Sequence, residues 1–125
     1  MIYTSYFSKL SKLGEKFPEG FSTVSIAGKS PSWYKGAKCK LLAPRYWFYA
    51  KYKKDGDSDF YTEQYYKEVL NSLTANDVVT KLRVLTRDAS NIILLCYESP
   101  EKFCHRHFVA EWLSKNGYEC EEVKF

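Results

Sequence analysis

The sequence lacks the features that place a protein in a membrane or on a secretory route. Its main apolar run, from Ile92 to Cys96, is far shorter than the roughly 20 residues that a transmembrane helix needs. The chain does not open with the charged, apolar and small residues of a signal peptide, and residues 1 to 4 instead favour a strand. We therefore expect a cytoplasmic protein, folded as one domain over residues 1–125, with no membrane contact.

Known phosphate-loop motifs are also missing. The sequence has neither a P-loop nor a Gly-x-Gly-x-x-Gly element. Nine residues separate Cys96 from Arg106, which excludes the Cys-x5-Arg loop of phosphatases. Any phosphate site in this chain must be built in another way.

The cysteines are few and widely spaced, at positions 39, 96, 104 and 120. A chain of this length needs no disulfides and the cytoplasm keeps thiols reduced, so we expect free thiols. Structural zinc sites space paired ligands about two to four residues apart, whereas seven residues lie between Cys96 and Cys104. Adjacent Cys104 and His105 are not expected to face one ion. The sequence therefore predicts neither a metal nor a cofactor.

Acidic residues are absent between Glu19 and Asp55, although the whole chain contains 15. The 20–54 segment holds eight lysines and arginines and carries +8, while the remaining residues sum to −4 and give the net charge of +4. Aromatic side chains are interleaved with these cations. Because aromatic faces stack on bases and cations hold phosphates, the 20–54 segment predicts contact with a nucleotide or a nucleic acid.

The aromatic residues of this segment have a second interpretation. Tyr46 to Tyr52 can form a helix whose aromatic side chains pack inward and whose lysines face water, and we favour this for Trp47 and Phe48. Trp33, in a Ser-Pro-Ser-Trp turn, is instead a candidate wall of a ligand site.

Hydrophobic patterning predicts strands interleaved with helices. The strand candidates are Ile2 to Thr4, Ser22 to Ile26, Asn91 to Cys96 and Glu119 to Val123. Apolar stripes predict three helices, over residues 65–73, over residues 78–85 after an N-cap at Thr74, and over residues 108–113 before a stop at Gly117. Residues 28–60 are expected to be irregular. The pattern predicts a three-layer α/β fold with a small, mainly parallel sheet, and ligands in such folds bind beyond the carboxyl ends of the strands.

Residues 94–106, LLCYESPEKFCHR, hold the densest group of reactive side chains. A buried strand ends at Cys96, and Glu98 follows on the same side of an extended chain. A loop then brings Cys104, His105 and Arg106 to a helix start. Because a helix N-terminus attracts anions, we expect Arg106 to bind phosphate there and Cys104 to have a lowered pKa. Glu98, close to both in sequence, is a candidate general acid or base.

This Cys-x-Glu element followed by Cys-His-Arg resembles the signature of the DUF488 family, small α/β domains named for unknown function. The stretches YTSYFSKL, SIAGKSPSWYKG and LLAP resemble a compact branch of that family. The resemblance implies a Rossmann-like fold and a role around nucleotides or nucleic acids. It implies no established reaction, and sites built on the longer central insertions of larger relatives have no counterpart here.

Each residue of the signature also has a structural explanation. Cys104 continues an apolar helix stripe at a spacing of four, which suits a small buried side chain as well as a nucleophile. His105 is in register with the buried side of the helix, and Arg106 can pair with Glu98. If Ser99-Pro100-Glu101 starts the helix, Cys104 moves to its second turn and the anion argument weakens.

The leading hypothesis is a protein that binds or acts on a nucleotide or nucleic acid in a cleft at the strand carboxyl ends. Its predicted catalytic residues are Glu98 and Cys104, and its predicted ligand-binding residues are Ser5, Trp33, His105 and Arg106. Two alternatives remain open: a non-enzymatic interaction or regulatory protein, for example from a phage or other mobile element, and a thiol redox protein. Whether the protein is an enzyme, and its oligomeric state, are left open.

Overall fold

Five short strands form a parallel sheet in the computed structural model, which describes residues 1–125. The strands are β1 (Ile2–Tyr6), β2 (Ser22–Ser25), β3 (Ala37–Lys38), β4 (Ile92–Cys96) and β5 (Cys120–Glu122). Their order across the sheet is β3-β2-β4-β1-β5, and every pairing is parallel. The predicted parallel sheet is confirmed, and four of its strands lie where the sequence placed them.

The central strand β4 is buried along its whole length, as its continuous apolar sequence predicts. Side chains of a strand alternate between the two faces of the sheet. Ile92 and Leu94 belong to the larger core on one face, whereas Ile93 and Leu95 belong to the smaller core on the other. Cys96 follows in register with Ile92 and Leu94, so its thiol lies on the side of the larger core.

Helices cover both faces of the sheet and complete a three-layer, Rossmann-like α/β fold. The α-helices are α1 (Leu13–Lys16), α2 (Tyr46–Asp55), α3 (Ser58–Glu68), α4 (Ala75–Leu85) and α5 (His105–Lys115). Helices α2 to α5 contribute to the larger core, in which their fully buried side chains include Phe48, Tyr65, Leu82 and Val109. The other face is covered by a 3₁₀ helix, Phe7–Lys12, together with α1. None of these helices has both the length and the apolar content that a membrane span requires.

The predicted start of α4 and the predicted end of α5 are confirmed. The Thr74 side chain accepts a hydrogen bond of 3.2 Å from the backbone N–H of Asp77 and caps α4. Gly117, with φ of 89°, adopts the left-handed conformation after α5. The N–H of Tyr118 then donates to the carbonyl of Leu113 at 2.9 Å, which closes a Schellman motif.

Two predictions about the middle of the chain are wrong. The stretch from 28 to 60 is not irregular throughout, because it contains β3, α2 and the first residues of α3. The apolar stripe at 65–73 does not mark one helix: α3 ends at Glu68, and a separate 3₁₀ turn follows at Leu70–Ser72. A two-residue strand such as β3 is too short to leave a periodic signal in the sequence.

Candidate functional site

A cavity of about 870 Å³ opens at the carboxyl ends of β2 and β4. It lies where the fold class predicts a ligand site. One wall comes from residues 27–29, directly after β2, and from the region of α2. The other comes from residues 96–98 and 103–105, between the end of β4 and the start of α5. The cavity is rich in aromatic side chains: Tyr46, Tyr49, Tyr52, Tyr61, Tyr97 and Phe103.

Two thiols and an imidazole, which we call the thiol centre, meet at this cavity: Cys96, Cys104 and His105. Cys96 ends β4, Cys104 is the N-cap residue of α5, and His105 is the first residue of that helix. All three residues are buried, and one donor atom from each lies within 4.8 Å of the other two. The helix therefore starts at the Cys-His pair and not at Ser99-Pro100-Glu101.

The His105 ring is held by a contact at each nitrogen. Nε2 lies 2.7 Å from the carbonyl oxygen of Ile26, and Nδ1 lies 3.6 Å from Sγ of Cys96. Because a carbonyl oxygen only accepts, Nε2 carries the proton and Nδ1 faces the thiols. The expectation that Cys104 and His105 cannot face one centre is wrong, because the turn into the helix directs both side chains to the same place.

The two thiols of the centre differ in acidity. A hydrogen bond with Cys96 lowers the pKa of Cys104 well below the usual thiol range, and His105 adds to this effect although burial opposes it. The same hydrogen bond, together with burial, raises the pKa of Cys96. The environment therefore favours ionisation of Cys104 over ionisation of Cys96.

Arg106 follows the thiol centre in sequence but does not line the cavity. Its side chain is fully buried, and Nε and Nη2 each donate to the carboxylate of Glu122 at 3.0 Å. Thr4 also donates to that carboxylate at 2.7 Å, and the guanidinium lies 5.5 Å from the centre of the Tyr6 ring. Arg106 thus pairs with Glu122 and not with Glu98, which lines the cavity. The structure separates the two residues that the sequence grouped as one clamp.

Two other predicted ligand residues lie away from the cavity. Ser5 is buried in β1, paired with Leu95 of β4, and by strand alternation faces the smaller core. Its hydroxyl has no hydrogen-bond partner. Trp33 is 54% exposed and packs edge-on against Phe7 on the same side of the sheet. Their ligand roles stay predictions, and the cavity does not include them.

The 20–54 segment nevertheless supplies much of the cavity wall. Its cavity-lining cations are Lys29, Lys40, Arg45 and Lys53. Glu98 is the one carboxylate among the lining residues, so the four cations outnumber the acidic side chains of the wall. The sequence predicted the basic and aromatic character of this segment, but it did not identify Tyr46, Tyr49 and Tyr52 as the aromatic residues that line the cavity. The helical spacing of Tyr46, Tyr49 and Tyr52 was the available signal, since residues three apart share a helix face.

Comparison with protein families identifies a match over most of the chain. The model of DUF488-N3a, described as the active DUF488-N3 subclade, matches residues 16–117. This range includes the thiol centre, Glu98 and Arg106 but not Glu122. Neither a curated protein nor a solved structure matches the chain.

Proposed function

This chain belongs to the DUF488 family, and from that premise we propose that its cavity binds a nucleotide unit, on which the protein acts or which it holds. The observation that carries the proposal is the composition of the cavity wall. Tyrosine rings, an excess of cations and the thiol centre with Glu98 meet in one space at the strand carboxyl ends. The tyrosine rings can contact the base, the cations can bind the phosphate, and the thiol centre with Glu98 can act on the bound nucleotide.

The aromatic side chains suit the base of a nucleotide. Tyr46 and Tyr49 lie one helical turn apart on α2 and remain 80% and 39% exposed, and Tyr97 is exposed on the opposite wall. The exposed parts of these rings are available to stack on a base, which contributes about 1–3 kcal/mol per base. None of the three rings is a buried core residue, although Tyr97 contacts Phe7 of the smaller core, and their clustering around the cavity supports a planar ligand.

The cations suit the phosphate. Lys40 is anchored to the carbonyl of Gly28 at 2.5 Å, and Arg45 donates to the carbonyl of Glu68 at 3.3 Å. These bonds hold two positive charges at the cavity wall, where Glu98 is the one carboxylate. The cavity volume of about 870 Å³ falls within the usual size range of small-molecule sites, roughly 300–1,000 Å³.

A binding titration tests this proposal with a matched pair of aromatic variants. The protein is titrated with adenosine monophosphate, cytidine monophosphate, a single-stranded oligonucleotide, a duplex and inorganic phosphate at two salt concentrations. Nucleotide binding should weaken by about tenfold or more in Tyr49→Ala, because stacking is lost. It should not change in Trp33→Ala, which removes an exposed ring outside the cavity.

The titration distinguishes a free nucleotide from a nucleotide unit within a single strand. Binding of the monophosphates places a free nucleotide in the cavity, whereas binding of the oligonucleotide alone assigns the site to a single strand. No binding of any nucleotide at low salt, or equal losses in Tyr49→Ala and Trp33→Ala, overturns the proposal.

A further inference from the structure

We propose that Cys96, Cys104 and His105 bind one Zn²⁺ ion whose fourth position opens into the cavity. The proposal extends the proposed function, because the ion would face the bound nucleotide. The proposal starts from the position of three ligand atoms: two sulfur atoms and a ring nitrogen, from residues between positions 96 and 105, lie within 4.8 Å of one another at the cavity wall.

The donor set is the one that zinc prefers. Zinc is bound by thiolate sulfur and imidazole nitrogen, and a set of two cysteines and one histidine occurs in zinc enzymes that keep an open position for substrate. Two thiolates also balance the double charge of the ion, so that the buried centre carries no net charge. This matters because an uncompensated charge is costly in the interior.

The distances fit a tetrahedral ion. With zinc–sulfur bonds of about 2.3 Å and zinc–nitrogen bonds of about 2.0–2.1 Å, ligand atoms at a tetrahedral angle lie about 3.6 Å apart. The observed separation between Sγ of Cys96 and Nδ1 of His105 is 3.6 Å. The Cys104 sulfur, within 4.8 Å of both, needs only a small movement to complete the set.

The hydrogen bond at the second ring nitrogen of His105 is an independent observation that supports zinc binding. Metal-binding histidines usually donate their second ring N–H to a carbonyl or a carboxylate, which fixes the tautomer and the ring orientation. Nε2 of His105 makes this bond with the carbonyl of Ile26 at 2.7 Å. The bond presents the lone pair of Nδ1 to the two sulfur atoms before any ion arrives.

The surroundings of the centre indicate a reactive ion more than a structural one. The three ligands line an open cavity, where a closed structural site would have a fourth protein ligand. Glu98, two residues after Cys96, lines the same cavity and is not part of the donor cluster. Zinc enzymes that act on nucleobases combine a His/Cys/Cys ligand set with a glutamate that does not bind the metal. The ion would supply Lewis acidity toward water or toward the nucleotide.

The zinc content of the full-length protein tests the inference. Protein produced with zinc should retain about one ion per chain after dialysis, measured by plasma mass spectrometry. Cys96→Ser, Cys104→Ser and His105→Ala should each lose most of it. Cys39→Ser and Cys120→Ser, which change buried thiols outside the cluster, should retain it. Zinc that is absent from the wild type, or equally present in all variants, overturns the proposal.

Cobalt substitution of the wild-type protein keeps the test valid if a ligand variant fails to fold. A tetrahedral site with two thiolates should give intense visible bands and a sulfur-to-cobalt charge-transfer band, and zinc should displace them. A spectrum of octahedral cobalt without charge transfer contradicts the assignment.

The proposed function and the zinc site can fail separately. The nucleotide titration is therefore repeated on zinc-loaded and chelator-treated protein. Nucleotide binding in a protein that takes up no zinc overturns the zinc site alone. One zinc per chain without any nucleotide binding overturns the proposed function alone.

Discussion

Arg106 and Glu122 form two parallel hydrogen bonds of 3.0 Å between the buried side of α5 and the edge strand β5. The guanidinium is fully buried, whereas the glutamate side chain is 21% exposed. Burial is the largest influence on Arg106 and lowers its pKa, but the hydrogen bonds and charge of Glu122, together with the nearby thiols Cys104 and Cys96, outweigh it and raise the pKa. The pair ties the helix that carries Cys104 and His105 to the sheet, so it positions the thiol centre without contacting the cavity.

Removing one partner of this pair should strongly destabilise the fold. Glu122→Gln leaves a buried guanidinium without its carboxylate, and we expect the free energy of unfolding to fall by about 3–5 kcal/mol in urea titrations. Glu111→Gln is the control, because it breaks the exposed pair with Lys115, and it should cost at most about 0.5 kcal/mol. Similar losses in the two variants contradict the assigned role of the buried pair.

The N-cap of α4 gives a second stability prediction. Thr74→Ala removes the acceptor for the N–H of Asp77 and should lower the free energy of unfolding by about 1 kcal/mol. Thr80→Ala, in the exposed middle of the same helix, should be neutral or slightly stabilising because alanine is the better helix former. Equal effects at the two threonines argue against the capping assignment.

The thiols should alkylate in a defined order in chelator-treated protein. Cys104 has a lowered pKa and lines the cavity, so it should react with iodoacetamide faster than Cys96, Cys39 or Cys120. Because its thiolate is already formed, its rate should change little between about pH 6 and 8. Burial raises the pKa of Cys120 to about 12, so its rate should rise about tenfold per pH unit.

Peptide mass spectrometry after timed quenching gives the rate of each cysteine separately. Faster labelling of Cys39 or Cys120 than of Cys104 would show that Cys104 is only a packed core residue. Added zinc should protect Cys96 and Cys104 together and leave the other two thiols unaffected.

The sequence predicted the local features of the site better than its assembly. The apolar run ending at Cys96 gave the central strand, and Gly117 gave the end of α5, because both depend on neighbouring residues. The partner of Arg106 was not predictable in this way. Glu122 lies on β5, and only the strand order, which places β5 beside β1, brings it under the helix.

The aromatic residues of the cavity were also only partly predictable from the sequence. Trp33 was the predicted ligand contact because it lies in a turn after β2, but this turn packs on the smaller core beside Phe7. The sequence predicts inward packing for Trp47 and Phe48. In the structure α2 buries Phe48, but Trp47 is 51% exposed, and Tyr49 of the same helix lines the cavity. Helical spacing shows which residues share a face, but it does not show whether that face meets a core or an opening.

The central claim, that a nucleotide occupies the cavity at the strand carboxyl ends, is tested most directly by an NMR titration of the isotope-labelled protein with adenosine monophosphate. The account predicts the largest amide shifts at Gly28, Lys29, Tyr97 and Phe103, which surround the cavity, and small shifts near Trp33. Inorganic phosphate alone should move the first two of these signals less than the nucleotide does. Shifts confined to the surface around Trp33, or no shifts at millimolar nucleotide, would contradict the account.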